Sequence, residues 1–160
     1  MINGKLNMAK KPEDKAREDI DRMLEKAGWD VQDIDHINIH AHQGIAIRDF
    51  PLKPGHGFAD YVLYIDGKAA GVIEAKKAGT TLTGVEIQSD KYQHGLPDIL
   101  PAWYRPLPFC YQSTGVETRF TNAAYASQSL SMRADEEIMC LLGTFYNAFQ
   151  RAAVQYRFLL

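Results

Sequence analysis

The chain has 160 residues, of which 46% are hydrophobic and 24% are charged. This size fits one domain with a sizeable buried core. The composition excludes a disordered chain, a collagen-like repeat and a disulfide scaffold, and no apolar run approaches the ~20 residues that span a bilayer. The N-terminus carries no apolar signal segment, so we expect a cytoplasmic protein in which Cys110 and Cys140 are free thiols. The net charge of -2 argues at first against nucleic acid.

Helices and strands are predicted to follow one another along most of the chain. Apolar residues at helical spacing predict helices at 13–27 and 135–157, and a capping box predicts a helix from 83 to near Gly95. Alternating or bounded apolar runs predict strands at 44–50, 58–65, 69–76, 109–112 and 116–121. Segment 30–41 is ambiguous and could contain a further short strand. The order predicts an α/β domain with a mixed β-sheet flanked by helices.

Charged residues stand at the ends of two strands that otherwise look buried. Asp60 lies near the start of strand 58–65, and Glu74-Ala75-Lys76 ends strand 69–76, where alternation places Glu74 and Lys76 on one face. Solvated strand ends would explain such residues too, but charges at the ends of buried strands more often form a site. A regular hairpin with a two-residue turn at Asp66-Gly67 would pair Asp60 with Ile73 and so place Asp60 and Glu74 on opposite faces of the sheet. We therefore predict a three-residue loop over 66–68, or an equivalent bulge near Asp60, that places them on one face.

Two helical segments contribute further polar candidates. Glu13 lies seven residues before Ile20, on the same face of the first helix, where a carboxylate needs compensation. The alternative is a frayed first turn in which Glu13 pairs with Arg17. Gln88 and Tyr92 are four residues apart and share one face of the second helix, although Tyr92 could equally be part of the core.

Together these residues resemble the PD-(D/E)XK nuclease superfamily and, within it, the N-terminal nuclease domain of type I restriction enzyme R (restriction) subunits. The resemblance comprises EDKARxxIDxxLExAGW over 13–29, GIAIRDFPL over 44–52, GxGFADYVLYIDGKAAGVIEAKKAGTTLTGVEIQSDKY over 55–92 and FCYQSTGVETRFTN over 109–122. It covers about two-thirds of the chain. The spacing D-x13-E-x-K is weak by itself, whereas the ordered set with the trailing Q-x3-Y is specific.

The resemblance implies a restriction-endonuclease-like core and a role for each candidate. Its metal ligands, for Mg²⁺ or a similar divalent ion, would be Glu13, Asp60, Glu74 and the Ala75 carbonyl. Its catalytic residues would be Asp60, Glu74, Lys76, Gln88 and Tyr92. Carboxylate and carbonyl oxygens are the ligands that Mg²⁺ prefers, which agrees with this set. Acids that bind a metal do not repel DNA, and Lys53, Lys76, Lys77 and Lys91 are available for its backbone, so the net charge no longer excludes DNA.

The implied function is that of a type I site-specific deoxyribonuclease, acting on double-stranded DNA beside methyltransferase and specificity subunits. No G-x4-G-K-[ST] motif occurs in the sequence, so ATP would bind only in motor domains that R subunits carry elsewhere. We expect a nuclease domain over 1–122 and a helical tail over 123–160, in a truncated or frame-altered R protein or a trimmed piece of one. The alternative is a catalytically silent DNA-binding or assembly module of the same fold.

Other signals are weaker. The spacing of His36, His40 and His42 does not match a zinc site, and we expect solvated strand histidines. Cys110 is expected in the core, and Trp29 and Trp103 in the core or as loop anchors. A small-molecule enzyme on an α/β scaffold would need a cofactor fingerprint, which the sequence lacks.

Overall fold

The computed structural model describes residues 12–82 and 91–122, with side chains described over 14–82 and 91–119. The predicted helix at 135–157, the proposed boundary at 122/123 and the first part of the predicted helix after 83 lie outside these residues. Among the described residues no helix is long and apolar enough to span a membrane.

Within the described residues, six strands form one mixed sheet in the order β1-β2-β3-β4-β5-β6. The strands are β1 (Asp30–Gln32), β2 (Gly44–Pro51), β3 (Phe58–Ile65), β4 (Lys68–Ala75), β5 (Phe109–Ser113) and β6 (Thr118–Asn122). β1 pairs with β2 and β4 with β5 in parallel, and the other neighbours are antiparallel. The predicted mixed α/β architecture is therefore confirmed. The short strand that segment 30–41 left open is β1, which a 3-10 turn at Ile34–His36 follows.

Helix α1 (Pro12–Lys26) packs on one face of the sheet. Pro12 fits its first turn and Gly28, with φ 89°, follows its end, as positive φ favours glycine there. Its apolar stripe, including Ile20 and Leu24, is buried against side chains such as Tyr61 and Ile73. The predicted helix and its buried face are thus confirmed.

The opposite face is covered by the connection between β4 and β5. Residues 91–94 are helical and end at Gly95, which agrees with the predicted end of the second helix. Leu96 and Leu107 from this connection pack with Val62, Val72 and Cys110. Arg105 donates hydrogen bonds to the carbonyl oxygens of residues 96, 97, 98 and 100, which holds the loop together. The two parallel strands β4 and β5 approach closely at Gly71. A Cβ at this position would come within 2.6 Å of the Phe109 carbonyl oxygen, so a larger residue would not fit without a shift.

The hairpin between β3 and β4 sets the register on which the functional site depends. Its turn contains two residues, Asp66 (φ 49°) and Gly67 (φ 75°), and Ile65 pairs with Lys68. The register then shifts between Leu63 and Tyr64, which is a β-bulge. The predicted three-residue loop is therefore wrong. The alternative that we predicted, an equivalent bulge, is present, and it lies between Leu63 and Tyr64, closer to the turn than to Asp60.

The histidines differ from one expectation, whereas Cys110, Trp29 and Trp103 lie where they were expected. The histidines 36, 40 and 42 are exposed, as predicted, but they lie in the 3-10 turn and the bends after it rather than in a strand. The reason is local, since the preceding Asn38 side chain accepts a hydrogen bond from the His40 backbone N–H and favours a turn. Cys110 and Trp29 are buried in the core. Trp103 anchors its loop by donating from Nε1 to the Ile65 carbonyl oxygen at 3.0 Å.

Candidate functional site

Asp60 lies near the start of β3 and is tied to the end of β4. Its Oδ2 accepts a hydrogen bond of 2.8 Å from the backbone N–H of Ala75. The last regular pair of the hairpin is Tyr61 with Ile73, so one further step places Asp60 across from Glu74. The β-bulge is what creates this alignment, because a register without it would pair Asp60 with Ile73. The two carboxylates are therefore neighbours on adjacent central strands.

Glu74 and Lys76 form an ion pair at the end of β4. Lys76 Nζ donates to Glu74 Oε1 at 2.5 Å, and the two side chains are 24% and 5% exposed. The Lys76 backbone N–H donates to the Ser113 carbonyl oxygen at 2.8 Å, which extends the parallel pairing with β5 past the strand end. Lys76 itself lies just outside β4, which ends at Ala75, one residue before the predicted strand end at 76. The predicted placement of Glu74 and Lys76 on one side is confirmed by this contact.

The second oxygen of Glu74 lacks a partner in the part of the site that the structure describes. Glu74 Oε2 is buried and accepts no hydrogen bond from residues 14–82 or 91–119. A buried carboxylate oxygen without a partner is costly, since desolvation removes its water without replacement. Such an atom marks a position where a cation or a donor from a ligand would be stabilising.

Tyr92 approaches the same carboxylates from the β4–β5 connection. Its ring packs against the core cluster on that face of the sheet, so the core role that the sequence left open is correct in part. Burial, together with the negative charges of Glu74 and Asp60, raises the pKa of Tyr92. The phenol therefore stays protonated at neutral pH and is available as a hydrogen-bond donor near the two acids.

A further charged residue, Arg17, reaches the site from α1. Its Nη1 donates to Asp49 Oδ1 at 2.7 Å, and its Nη2 donates to Asp60 Oδ1. Partial burial works against the charge, but the hydrogen bonds and charges of Asp60 and Asp49 outweigh it and raise the pKa of Arg17. The sequence indicates Arg17 only as a possible partner of Glu13 and indicates no role for Asp49. A usable signal existed, because Arg17 lies three residues before Ile20 and seven before Leu24, on the buried stripe of α1.

The structure thus brings together four of the predicted site residues: Asp60, Glu74, Lys76 and Tyr92. The backbone of Ala75 is part of the same site through its N–H. Glu13 lies in the first turn of α1, but its side chain lies outside the described part, as does Gln88. Their expected roles stay predictions.

The donor set can be compared with the needs of a divalent ion. Among the residues described, no group of three or more His, Cys, Asp and Glu side chains is arranged to hold a metal. Mg²⁺ does not require such a group, since it keeps several waters and binds one or two carboxylates with substrate phosphates. Two adjacent carboxylates, one with a buried and unpartnered oxygen, fit this requirement.

Three other lysines were expected to meet a DNA backbone. Lys77 and Lys91 are exposed. Lys53 is partly covered and pairs with Asp98 at 2.7 Å, which lowers the pKa of that carboxyl. Lys53 is therefore available to a phosphate only by exchanging this partner.

Comparison with known proteins gives one family. The sequence model described as the type I restriction enzyme EcoKI endonuclease subunit second domain matches residues 34–105, somewhat less than half of the chain. No curated protein and no solved structure matches it. The matched segment includes β2, β3 and β4 and therefore Asp60, Glu74 and Lys76. This match confirms the resemblance of the chain to the N-terminal region of type I restriction R subunits, with residues 34–105 corresponding to the second domain of the endonuclease subunit.

Proposed function

We propose that this chain is a metal-dependent DNA endonuclease domain of a type I restriction-modification system, with a PD-(D/E)XK site that hydrolyses phosphodiester bonds. The observation that carries the proposal is the meeting of Asp60, Glu74 and Lys76 at one end of the sheet, where Glu74 Oε2 is buried and has no partner among the described residues. The family match supports the restriction-system part of the proposal.

Mg²⁺ would be held by the Asp60 and Glu74 carboxylates and the Ala75 carbonyl oxygen, with Glu13 added on the strength of the resemblance. These are hard oxygen donors, which suit Mg²⁺ better than the softer transition metals. When bound, the ion lowers the pKa of a water and neutralises charge on the phosphate.

The remaining chemistry belongs to side chains that the site holds in place. Lys76, fixed by β5 through its backbone and by Glu74 through its ammonium, would orient the attacking water or neutralise charge on the phosphorane-like transition state. The protonated Tyr92 phenol would donate a hydrogen bond to a phosphate oxygen of the substrate. Gln88 would support the same group, as the resemblance implies.

Substrate and partners follow from the family. The substrate would be double-stranded DNA, and methyltransferase and specificity subunits would supply the recognition of sequence. ATP would be used only by motor domains of the resembled R subunits, and the assembly would act in the cytoplasm. Lys77 and Lys91 are exposed for phosphate contacts, but such a small number of cations predicts weak DNA binding by this domain alone.

The proposal is tested by nicking of supercoiled plasmid in Mg²⁺. The variants Asp60→Asn, Glu74→Gln and Lys76→Gln should each lower the nicking rate by at least about 100-fold, since each removes a group that acts on the transition state. Lys68→Gln is the matched control, because Lys68 is on the same strand at its opposite end, against Trp103. It should nick at the rate of the unaltered chain.

Nicking by Lys76→Gln at the rate of the unaltered chain would contradict the assignment. If the unaltered chain binds DNA in Mg²⁺ but never nicks it, the silent DNA-binding or assembly module is the better description. Fluorescence anisotropy with a labelled duplex separates these outcomes, because it measures binding independently of cleavage.

A further inference from the structure

Three carboxylates form a row across three adjacent strands at the site end of the sheet. The pairs Arg48–Tyr61 and Phe50–Ala59 flank Asp49 and Asp60, so these two acids lie opposite one another on β2 and β3. Asp60 in turn lies across from Glu74 on β4. Like charges directly opposite on neighbouring strands destabilise a sheet. The row therefore needs positive charge whether or not a metal is bound.

Two basic side chains supply that charge within the chain itself. Arg17 divides its guanidinium between Asp49 Oδ1 and Asp60 Oδ1, while Asp60 Oδ2 accepts from the Ala75 N–H. Lys76 takes Glu74 Oε1. Both oxygens of Asp60 thus have donors, whereas Glu74 Oε2 is buried and receives no donor from the residues that the structure describes. Asp60, which would bind a divalent ion together with Glu74, is therefore already paired with Arg17.

We propose, on the basis of the function proposed above, that Arg17 competes with the divalent cation for Asp60. Without metal the guanidinium neutralises Asp60, and when the cation binds, Arg17 releases Asp60 and stays on Asp49. Arginine cannot lose its proton to relieve the conflict, so one of the two positive groups must move away from Asp60.

The fork geometry makes such a movement feasible. The Asp49 side chain is 58% exposed and the Asp60 side chain 20% exposed, so Arg17 is held on its solvent side by one anchor and on its buried side by the other. Losing the inner contact leaves the outer contact in place. Asp49 also has a φ of 47°, a conformation that few residues other than glycine, asparagine and aspartate adopt readily, and this departure from strand geometry accompanies its contact with Arg17.

Arg17 could instead orient Asp60 for the metal, and this role predicts the opposite change in metal affinity when Arg17 is removed. If Arg17 served to hold Asp60 in the correct orientation for the metal, its loss would weaken metal binding. If it competes, its loss strengthens binding. The direction of the change in the dissociation constant therefore decides between the two roles, without any measurement of DNA cleavage.

The test is titration calorimetry of the full 160-residue chain with Mg²⁺ and, separately, with Mn²⁺. Arg17→Gln should bind each ion about tenfold more tightly, within the usual range of coupling between two sites. Arg22→Gln is the matched control, since Arg22 is on the same helix and pairs with Asp19 at an exposed position. It removes the same charge and should change the dissociation constant by less than about twofold.

A second variant makes the test independent of how well Arg17→Gln folds, which circular dichroism checks. Asp49→Asn removes the outer anchor, leaves Arg17 entirely on Asp60 and should weaken metal binding several-fold. In the Arg17→Gln background, Asp49→Asn should change the metal dissociation constant little, because Asp49 affects the metal site only through its contact with Arg17. A double-mutant cycle on the dissociation constants reports this coupling directly.

Unchanged or weaker binding by Arg17→Gln would overturn the proposal, and so would equal strengthening by Arg22→Gln, which would reduce the effect to general electrostatics. Absence of metal binding in every variant would contradict both this proposal and the proposed function. Metal binding that is present in the unaltered chain but insensitive to Arg17 and Asp49 would contradict this proposal alone.

Discussion

The ion pair between Glu74 and Lys76 sits at the centre of the candidate site and is unequal in its exposure. Glu74 is almost completely buried, whereas Lys76 retains access to solvent. Removing Lys76 would leave a buried carboxylate with neither oxygen held by an ammonium. Breaking a buried pair by removing one partner is strongly destabilising, because the other charge remains without compensation.

Lys76→Met should therefore lower the free energy of unfolding in metal-free buffer by about 2 kcal/mol, less than for a fully buried pair because Lys76 is partly exposed. Saturating Mg²⁺ should recover more stability in this variant than in the unaltered chain, since the ion would replace the missing positive charge beside Glu74. Urea unfolding with and without Mg²⁺ measures both quantities. Lys77→Met, at an exposed neighbouring position, is the control. Equal Mg²⁺ effects in both variants would contradict a metal at Glu74.

The sequence could predict the acids and the lysine of the site but not its charge balance. Asp60, Glu74 and Lys76 could be predicted because their spacing on two apolar strands is unusual and resembles a known motif. Arg17 and Asp49 lie 32 residues apart, and their contact depends on how α1 lies across the sheet. The local sequence pattern carries no information on the angle between α1 and the strands. It could therefore predict that Arg17 lies on the buried stripe of α1, but not that Arg17 contacts Asp60.

At the scale of elements, α1 is anchored to the sheet by a polar cluster beneath Arg17. The Tyr61 hydroxyl donates to Asp21 Oδ1 at 2.7 Å and lies 3.2 Å from the Arg17 carbonyl oxygen. Arg48 binds both carboxylate oxygens of Asp21, at 3.2 and 2.9 Å. Burial and the Asp21 carboxylate raise the pKa of Tyr61, so the hydroxyl stays a donor. This cluster fixes the position from which Arg17 reaches Asp60.

Tyr61→Phe should lower the free energy of unfolding by about 1–2 kcal/mol, because Asp21 loses a donor in a partly buried place. It should also speed amide hydrogen exchange in α1 relative to the strands, since the helix loses one of its anchors. Tyr64→Phe is the matched control, as Tyr64 is buried on the same strand but packs with the other core cluster. An identical exchange pattern of α1 in the two variants would contradict the anchoring role.

The hairpin of β3 and β4 was predicted from its turn residues, but the position of its bulge was not. The turn residues Asp66 and Gly67 predict a hairpin because both adopt positive φ. They do not determine where a bulge lies, since an extra residue can be accommodated at several places along an antiparallel pair. The requirement that Asp60 and Glu74 share a face correctly predicted that some irregularity exists, but it did not give the position of the bulge between Leu63 and Tyr64.

Across the described part of the molecule, the sheet separates two apolar clusters, and the candidate site lies at the end of the sheet where β3 begins and β4 and β5 end. Strong alternation and apolar runs made the central strands and α1 predictable to within a residue or two. The order of the strands, and the parallel pairing of β4 with β5, were not predictable, because such pairing is decided by contacts remote in sequence. The site therefore depends on a topology that no local motif specifies.

The joint binding of a divalent cation by Asp60 and Glu74 can be observed by anomalous diffraction from crystals of the chain grown with Mn²⁺, with Glu74→Gln crystals as the control. We predict a manganese peak between the two carboxylates, within coordination distance of the Ala75 carbonyl oxygen, that is lost in Glu74→Gln. A peak elsewhere on the protein, or none in crystals whose Asp60 and Glu74 are well ordered, would contradict it.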